Sequence, residues 1–304
     1  IVKIVFIFYE HEVVAIYPLT IKKYFCFKVL QWLGTGKSDY CNPIISDNFY
    51  EILNKNKFLH LWELIIKDLG KFDLIFFNNQ PGKIQQLENP FTEFFNTINF
   101  SNIYQIRLPS SYEHYKKNIK DKNKKYFYEI HRTSLKLIKL EKEFNVNFIV
   151  KDIDEKNLEF KNTIKNKIEQ LKLKNYKHSL DKNFITIYEN LIKKNNSHFY
   201  IFSLEINKKI ISSCFGIIYK GIFYYFIPTL VSDDYNNFKP GKILILKIIK
   251  WCISKELQLF DFGLGSERYK KYFSDISIPI HRYILHNNFK GFIFSIFLRF
   301  FLKN

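Results

Sequence analysis

Acidic side chains are scarce in this 304-residue chain, where 29 Asp and Glu face 47 Lys and Arg, for a formal charge of +18. Such a deficit ordinarily points to nucleic acid or an anionic membrane. Here the cations are spread along the whole chain, and Lys, Asn, Ile, Phe and Tyr are all abundant, as in proteins encoded by AT-rich DNA. A generally basic surface is therefore the preferred reading. No specific nucleic-acid partner is expected, while attraction of an anionic cofactor or glycan stays open. Cysteine is sparse too: Cys26, Cys41, Cys214 and Cys252 show no C-x-x-C spacing, which excludes the usual zinc frameworks and predicts four free thiols in a reducing, cytoplasmic compartment. Methionine is absent and the chain begins at Ile1, which predicts a start that is missing or unconventional. Ile1 to Tyr9 is too short for a signal peptide and has no cleavage site. There is no H-E-x-x-H and no G-x-S-x-G. His281 and His286 lie at odd spacing on one strand and face opposite sides, so they form no metal pair within it.

Long apolar runs are also few. Ile210 to Val231 is the nearest to a membrane span, but Tyr219-Lys-Gly221 breaks it and its flanks are β-branched and aromatic, so two strands are predicted. Phe289 to Leu302 is too short to cross a bilayer as a helix. A helix docked on the fold is preferred there, with an interfacial segment at the inner face of a membrane as the alternative.

What is present reads as mixed α/β. A hairpin of Ile1–Tyr9 and Glu12–Leu19, ending at Pro18, leads through Phe25–Leu33 to a helix over Phe49–Leu69 with Leu53, Leu61, Leu64 and Ile65 on its apolar side. Strand Phe72–Phe77, a helix from Gln85 and strand Asn102–Leu108 complete a first half. Gly34-Thr-Gly-Lys-Ser38 resembles the end of a P-loop, but Gln31 stands where the first glycine belongs and no helix follows, so nucleotide binding there is rejected. Ser110 opens a lysine-rich helical region running to Phe144, with Leu135, Ile138 and Leu140 apolar, read as a solvated face in preference to a nucleic-acid arm. A strand, two helices, a meander over His198–Leu230, helix Lys242–Lys255, strand Leu257–Phe262, helix Glu267–Phe273 and strand Ile278–His286 make a second half.

Two glycine turns in that half feed helix starts. Asn237-Phe-Lys-Pro-Gly241 precedes one, and Asp261-Phe-Gly-Leu-Gly265 with Ser266-Glu267 precedes the other. Helix N-termini so placed suit an anion such as a pyrophosphate.

The order of a β-meander, a turn into a helix, a further strand and a short Tyr-bearing helix is that of GNAT-type acyltransferases. Pro240-Gly241, Asp261-Phe-Gly-Leu-Gly-Ser-Glu-Arg-Tyr-Lys270, Leu33-Gly34 and Ser38-Asp39-Tyr40 together resemble the CelD/BcsL-like branch of that superfamily, associated with polysaccharide biosynthesis and related to the FemAB-type peptidyltransferases. The resemblance implies an α/β fold of two tandem GNAT-like halves, the acyl-CoA N-acyltransferase fold, over residues 1–109 and 110–288 with a tail 289–304. It implies acetyl-CoA or another acyl-CoA as co-substrate without a metal, entering between splayed strands Ile222–Leu230 and Leu257–Phe262. Lys239, Pro240, Gly241 and Lys242 would cradle the pyrophosphate, and Lys270 would meet a phosphate or a carboxylate. Tyr269 is the candidate acid for the departing thiolate, with Tyr272 competing. Asp261 is either a base or a holder of Arg268 or Lys270. Asp39, Tyr40 and Gly265 would line the site of a small-molecule or glycan acceptor. The chain carries Gly241 alone where the family pairs glycines, which leaves an aminoacyl-tRNA donor open. A catalytically silent binding protein of membrane polysaccharide machinery is the reading from another class.

Overall fold

The computed structural model describes residues 1–84, 86–153, 158–173, 175, 180–194 and 198–301. It divides into two compact units, residues 1–102 with 278–304 and residues 103–277. Both are mixed α/β.

The first unit begins with β1 (Val2–Tyr9), β2 (Glu12–Tyr24) and β3 (Phe27–Trp32), an antiparallel meander. The hairpin does not end at Pro18. Pro18 sits inside β2 opposite Ile4, and its missing N–H falls where the β2–β3 ladder stops, so the strand runs on to Tyr24. After the two-residue β4 (Ile44–Ile45) come α1 (Phe49–Ile52) and α2 (Lys55–Asp68). The single helix expected over Phe49–Leu69 is split because Asn54 takes the N-cap of α2, its side chain accepting from Lys57 N–H at 3.0 Å. Of its expected apolar side, Leu53 and Ile65 are buried while Leu64 is exposed. β5 (Leu74–Pro81) then pairs parallel with β3. Where a helix was expected from Gln85, which lies outside the described residues, the neighbouring chain forms the small hairpin β6 (Lys83–Ile84) and β7 (Leu87–Glu88). A one-turn α3 (Pro90–Glu93) follows, capped by Asn89.

β8 (Ile98–Arg107) leads into the second unit. There α4 (Tyr112–Lys122) and α5 (Lys124–Glu143) make up the lysine-rich helical region, Asn123 ending the first and capping the second. Leu135 and Ile138 face solvent; the buried positions of α5 are Ile130, Thr133, Leu137 and Leu140. β9 (Val146–Asp152), α6 (Leu158–Leu173) and α7 (Lys182–Lys194) follow. The meander β10 (Phe199–Ile206), β11 (Lys209–Tyr219) and β12 (Ile222–Leu230) leads to α8 (Pro240–Ser254), β13 (Leu259–Leu264) and α9 (Arg268–Phe273). Strand order in this unit is β8-β13-β12-β11-β10-β9. α8 is apolar nearly all round because it is buried among Phe202, Phe223, Phe260 and the underside of α5. The chain then returns to the first unit as β14 (Ile276–His286), antiparallel to β5, and α10 (Phe289–Phe301).

The two units share one plan. Each has an antiparallel three-strand meander whose last strand connects through a helix to a parallel neighbour: β3 to β5 in the first, β12 to β13 in the second.

Candidate active site

The parallel pair β12–β13 is short. Ile222, Phe223 and Tyr224 oppose Leu259, Phe260 and Asp261, and there the ladder ends, although β12 continues to Leu230 and β13 to Leu264. The strands part beyond Tyr224. At the opening lies a cavity of about 490 Å³, within the range of small-ligand sites. Its walls come from α6 (Lys167, Gln170), the end of β12 (Tyr225, Pro228, Thr229), the start of α8 (Gly241, Lys242), and Glu267 with Tyr269.

The start of α8 is built to receive an anion. Lys239 holds the N-cap position in a left-handed conformation (φ 59°, ψ 59°), and its ammonium, a donor without an acceptor, makes no capping hydrogen bond. Pro240 supplies the first helical residue without needing a donor. Gly241 borders the cavity, and a Cβ added there would meet no atom within 4 Å. Cations gather around this end. Lys242 pairs with Glu129 at 3.2 Å and lies over the Tyr272 ring at 4.9 Å. Arg132 shares Glu129, and Lys136 donates to Asn237 O. Partial burial lowers the pKa of Lys136, and the positive charges of Lys239, Arg132 and Lys242 push it further. Four cations thus surround one carboxylate, an excess that favours an incoming anion.

Tyr269 is largely buried, with its ring edge-on to Phe262. Burial first, then the Glu267 carboxylate, raise its pKa far above the ordinary tyrosine value, so the hydroxyl stays protonated. Glu267, read in the sequence only as a helix start, faces the same cavity and pairs with Lys270 at 2.9 Å. Nothing short of the fold marks it, since one carboxylate after a glycine turn is indistinguishable from a solvated one. Thr229 is another residue missed. Its hydroxyl is buried at the cavity wall with no hydrogen-bond partner.

The remaining expected site residues are placed elsewhere. Tyr272 is buried beside Tyr126 and under Lys242, and does not line the cavity. The Asp261 carboxylate is buried in the turn, accepting from Gln105 Nε2 and from the Gly263 N–H, both at 2.6 Å. Lys270 is buried and committed to Glu267 and to Leu264 O at 2.8 Å. Gly265, at φ 130°, leaves room that the Glu267–Lys270 pair fills, and a Cβ would collide with that pair. Asp39 and Tyr40 belong to the first unit, in a loop whose Ser38 hydroxyl donates to Tyr40 O at 2.7 Å. Among the described residues no group of three or more His, Cys, Asp or Glu could hold a metal ion. The thiols of Cys41, Cys214 and Cys252 are buried, and burial raises the pKa of each.

The fold has solved counterparts. FemX superposes with a TM-score of 0.58 at 10% identity, covering 94% of this chain and 88% of that one. L-PGS from Bacillus licheniformis gives 0.56 at 12% identity, covering 96% and 86%. These likenesses establish a tandem GNAT-type architecture and nothing about substrate. No curated protein sequence matches the chain. Residues 131–271, a span that contains every residue lining the cavity, match the family described as acetyltransferase (GNAT) domain.

Proposed function

We propose that the second unit binds an acyl-CoA and transfers its acyl group to an amine or hydroxyl of a sugar, a glycan precursor or another small metabolite, in polysaccharide or cell-envelope assembly. One observation carries the reading: the gap where β12 and β13 part opens at the uncapped start of α8. A strand edge without a ladder partner suits the two amides of a pantetheine arm, and an uncapped, cation-ringed helix start suits its pyrophosphate. The orphaned Thr229 hydroxyl gives a further polar contact inside the same cavity.

In the transfer a C–N or C–O bond forms at the thioester carbon, the C–S bond breaks, the nucleophile loses a proton and the thiolate gains one. Glu267 is the carboxylate on the cavity wall able to take the nucleophile's proton, and Lys270 fixes its position. Tyr269 presents a hydroxyl that is always protonated. Because burial makes it a weaker acid than a thiol of ordinary pKa, about 8.5, its part is to hydrogen-bond the developing thiolate.

The test is a titration with acetyl-CoA and longer acyl-CoAs followed by thermal unfolding. A ligand that binds only the native state stabilises it by about 2.7 kcal/mol at roughly a hundredfold excess over Kd. For a unit of this size the midpoint should rise by roughly 5–10 °C. An unchanged midpoint with every acyl-CoA would remove CoA as donor. Tyr269→Phe should lower turnover about tenfold at nearly unchanged acyl-CoA affinity; equal turnover would remove the thiolate role of the hydroxyl.

A further inference from the structure

The register of the first unit assigns residues to the two faces of its sheet. Val5, Ile7, Tyr17, Leu19, Leu30, Trp32, Ile75 and Phe77 face the core with α2 and α3. The alternate residues form the other face, and α10 packs against β3 and β5 there, its Phe294 ring stacked on Phe27 at 4.5 Å. α10 is seated the reverse of an ordinary surface helix. Its small residues Gly291 and Ser295 are buried, and a Cβ on Gly291 would strike the Asp73 carbonyl. Its large ones point outward: Phe289 is 76% exposed and Ile296 55%, with Phe292 and Ile293 also open. On the same face of the sheet β1 exposes Val2, Ile4, Phe6 and Phe8.

This apolar face carries positive charge and little negative. α10 contains Lys290 and Arg299 and no acid. The β2–β3 turn is Lys22-Lys23-Tyr-Phe-Cys-Phe-Lys28, with Phe25 at its tip 93% exposed. Lys22, across from Val29 in the ladder, lies on this face, and it is exposed.

We propose that this face docks on an anionic phospholipid bilayer, with α10 lying in the interface, Phe25 inserted, and Lys22, Lys290 and Arg299 meeting lipid headgroups. A second copy of the chain is a poorer occupant, because two such faces would bring like charge to like charge. No helix among the described residues is long and apolar enough to cross a membrane, so attachment is peripheral.

The full chain should sediment with vesicles of equal phosphatidylcholine and phosphatidylglycerol and stay in solution with phosphatidylcholine alone, with added salt weakening the binding. Lys22→Glu with Lys290→Glu, and separately Phe289→Ser with Ile296→Ser, should each lower partition about tenfold or more without lowering the thermal midpoint. Phe25→Trp should shift its indole emission to the blue only on the anionic vesicles. Failure of the wild type to sediment would overturn the proposal, as would equal sedimentation on neutral vesicles. So would undiminished binding by both folded double variants, or a dimer in solution that the same substitutions dissociate in place of any vesicle binding.

Discussion

The two units repeat one strand-helix-strand plan, and they differ at the place where the parallel pair opens. In the first unit the space beside β3 and β5 is filled. Trp32 stacks on Phe77 at 4.6 Å and meets Phe91 edge-on, while its Nε1 donates to Gln80 Oε1 at 3.2 Å. The loop after β3 is pinned to β5 through Cys41 N–H to Asn79 O and Asn79 Nδ2 to Ser38 O. The crossover helix α2 has its start satisfied by Asn54. In the second unit the crossover helix α8 has no side-chain cap and its second residue is Gly241, and although Tyr225 and Phe262 also pack edge-on beyond the parallel pair, a cavity stays open beside Tyr225. One plan thus serves once as a scaffold and once as a site, and the difference lies in a cap and a few side-chain volumes.

The largest effect should come from emptying the filled half. Trp32→Ala removes a fully buried indole, so urea unfolding should show a loss of about 3–5 kcal/mol. If the loss stays below about 1 kcal/mol, the aromatic filling is not what distinguishes the first unit. Next comes Gly241→Asp. The side chain has room, so the thermal midpoint without ligand should hold, but a carboxylate placed at the anion-receiving end of α8 should weaken acyl-CoA binding about tenfold to a hundredfold by calorimetry. Unchanged affinity would show that the uncapped helix start is not the contact that separates the two units.

Much of this contrast could be read before any coordinates. The strand-helix order of the second half was legible because its strands are short apolar runs bounded by turn residues, such as Tyr219-Lys-Gly221 and Asn207-Lys208, and because Pro240-Gly241 marks a helix start. Boundaries failed where an asparagine could be either helical or a cap: Asn54 interrupts a run with continuous helical spacing. The side on which a residue lands was less legible. Asp261, Lys270 and Gly265 belong to the most distinctive string in the sequence, yet they hold the turn together, whereas Glu267 inside that string faces the cavity. Partners such as Gln105, 156 residues away from Asp261, leave no local trace. The outward seating of α10 was illegible for a similar reason, since the Asp73 carbonyl that demands Gly291 is distant in the chain.

The smallest prediction concerns acid. In the first unit His281, on β14, is half-buried with Nδ1 2.9 Å from the Thr97 hydroxyl, and burial lowers its pKa from the usual 6.5. The unfolded chain therefore takes up this proton at a higher pH than the folded one. Its contribution to stability is complete above about pH 6.5 and is lost as pH falls towards the folded value. In the second unit the shifted acids are Glu129, held below the usual 4.5 by Arg132 first and then by Lys242, and Asp234, lowered by the Ser232 hydroxyl and Lys209, so their contribution persists until the pH falls below 4.5. Between pH 7 and pH 5 (about the range in which an ordinary histidine titrates) the first unit should soften while the second does not. Trp32 and Trp62 report the former and Trp251 the latter. Variants keeping only one group of tryptophans should show a midpoint that declines with acid for the first reporter and stays level for the second. His281→Gln should flatten the first curve, and a slope that survives it would assign the acid response to groups common to both units.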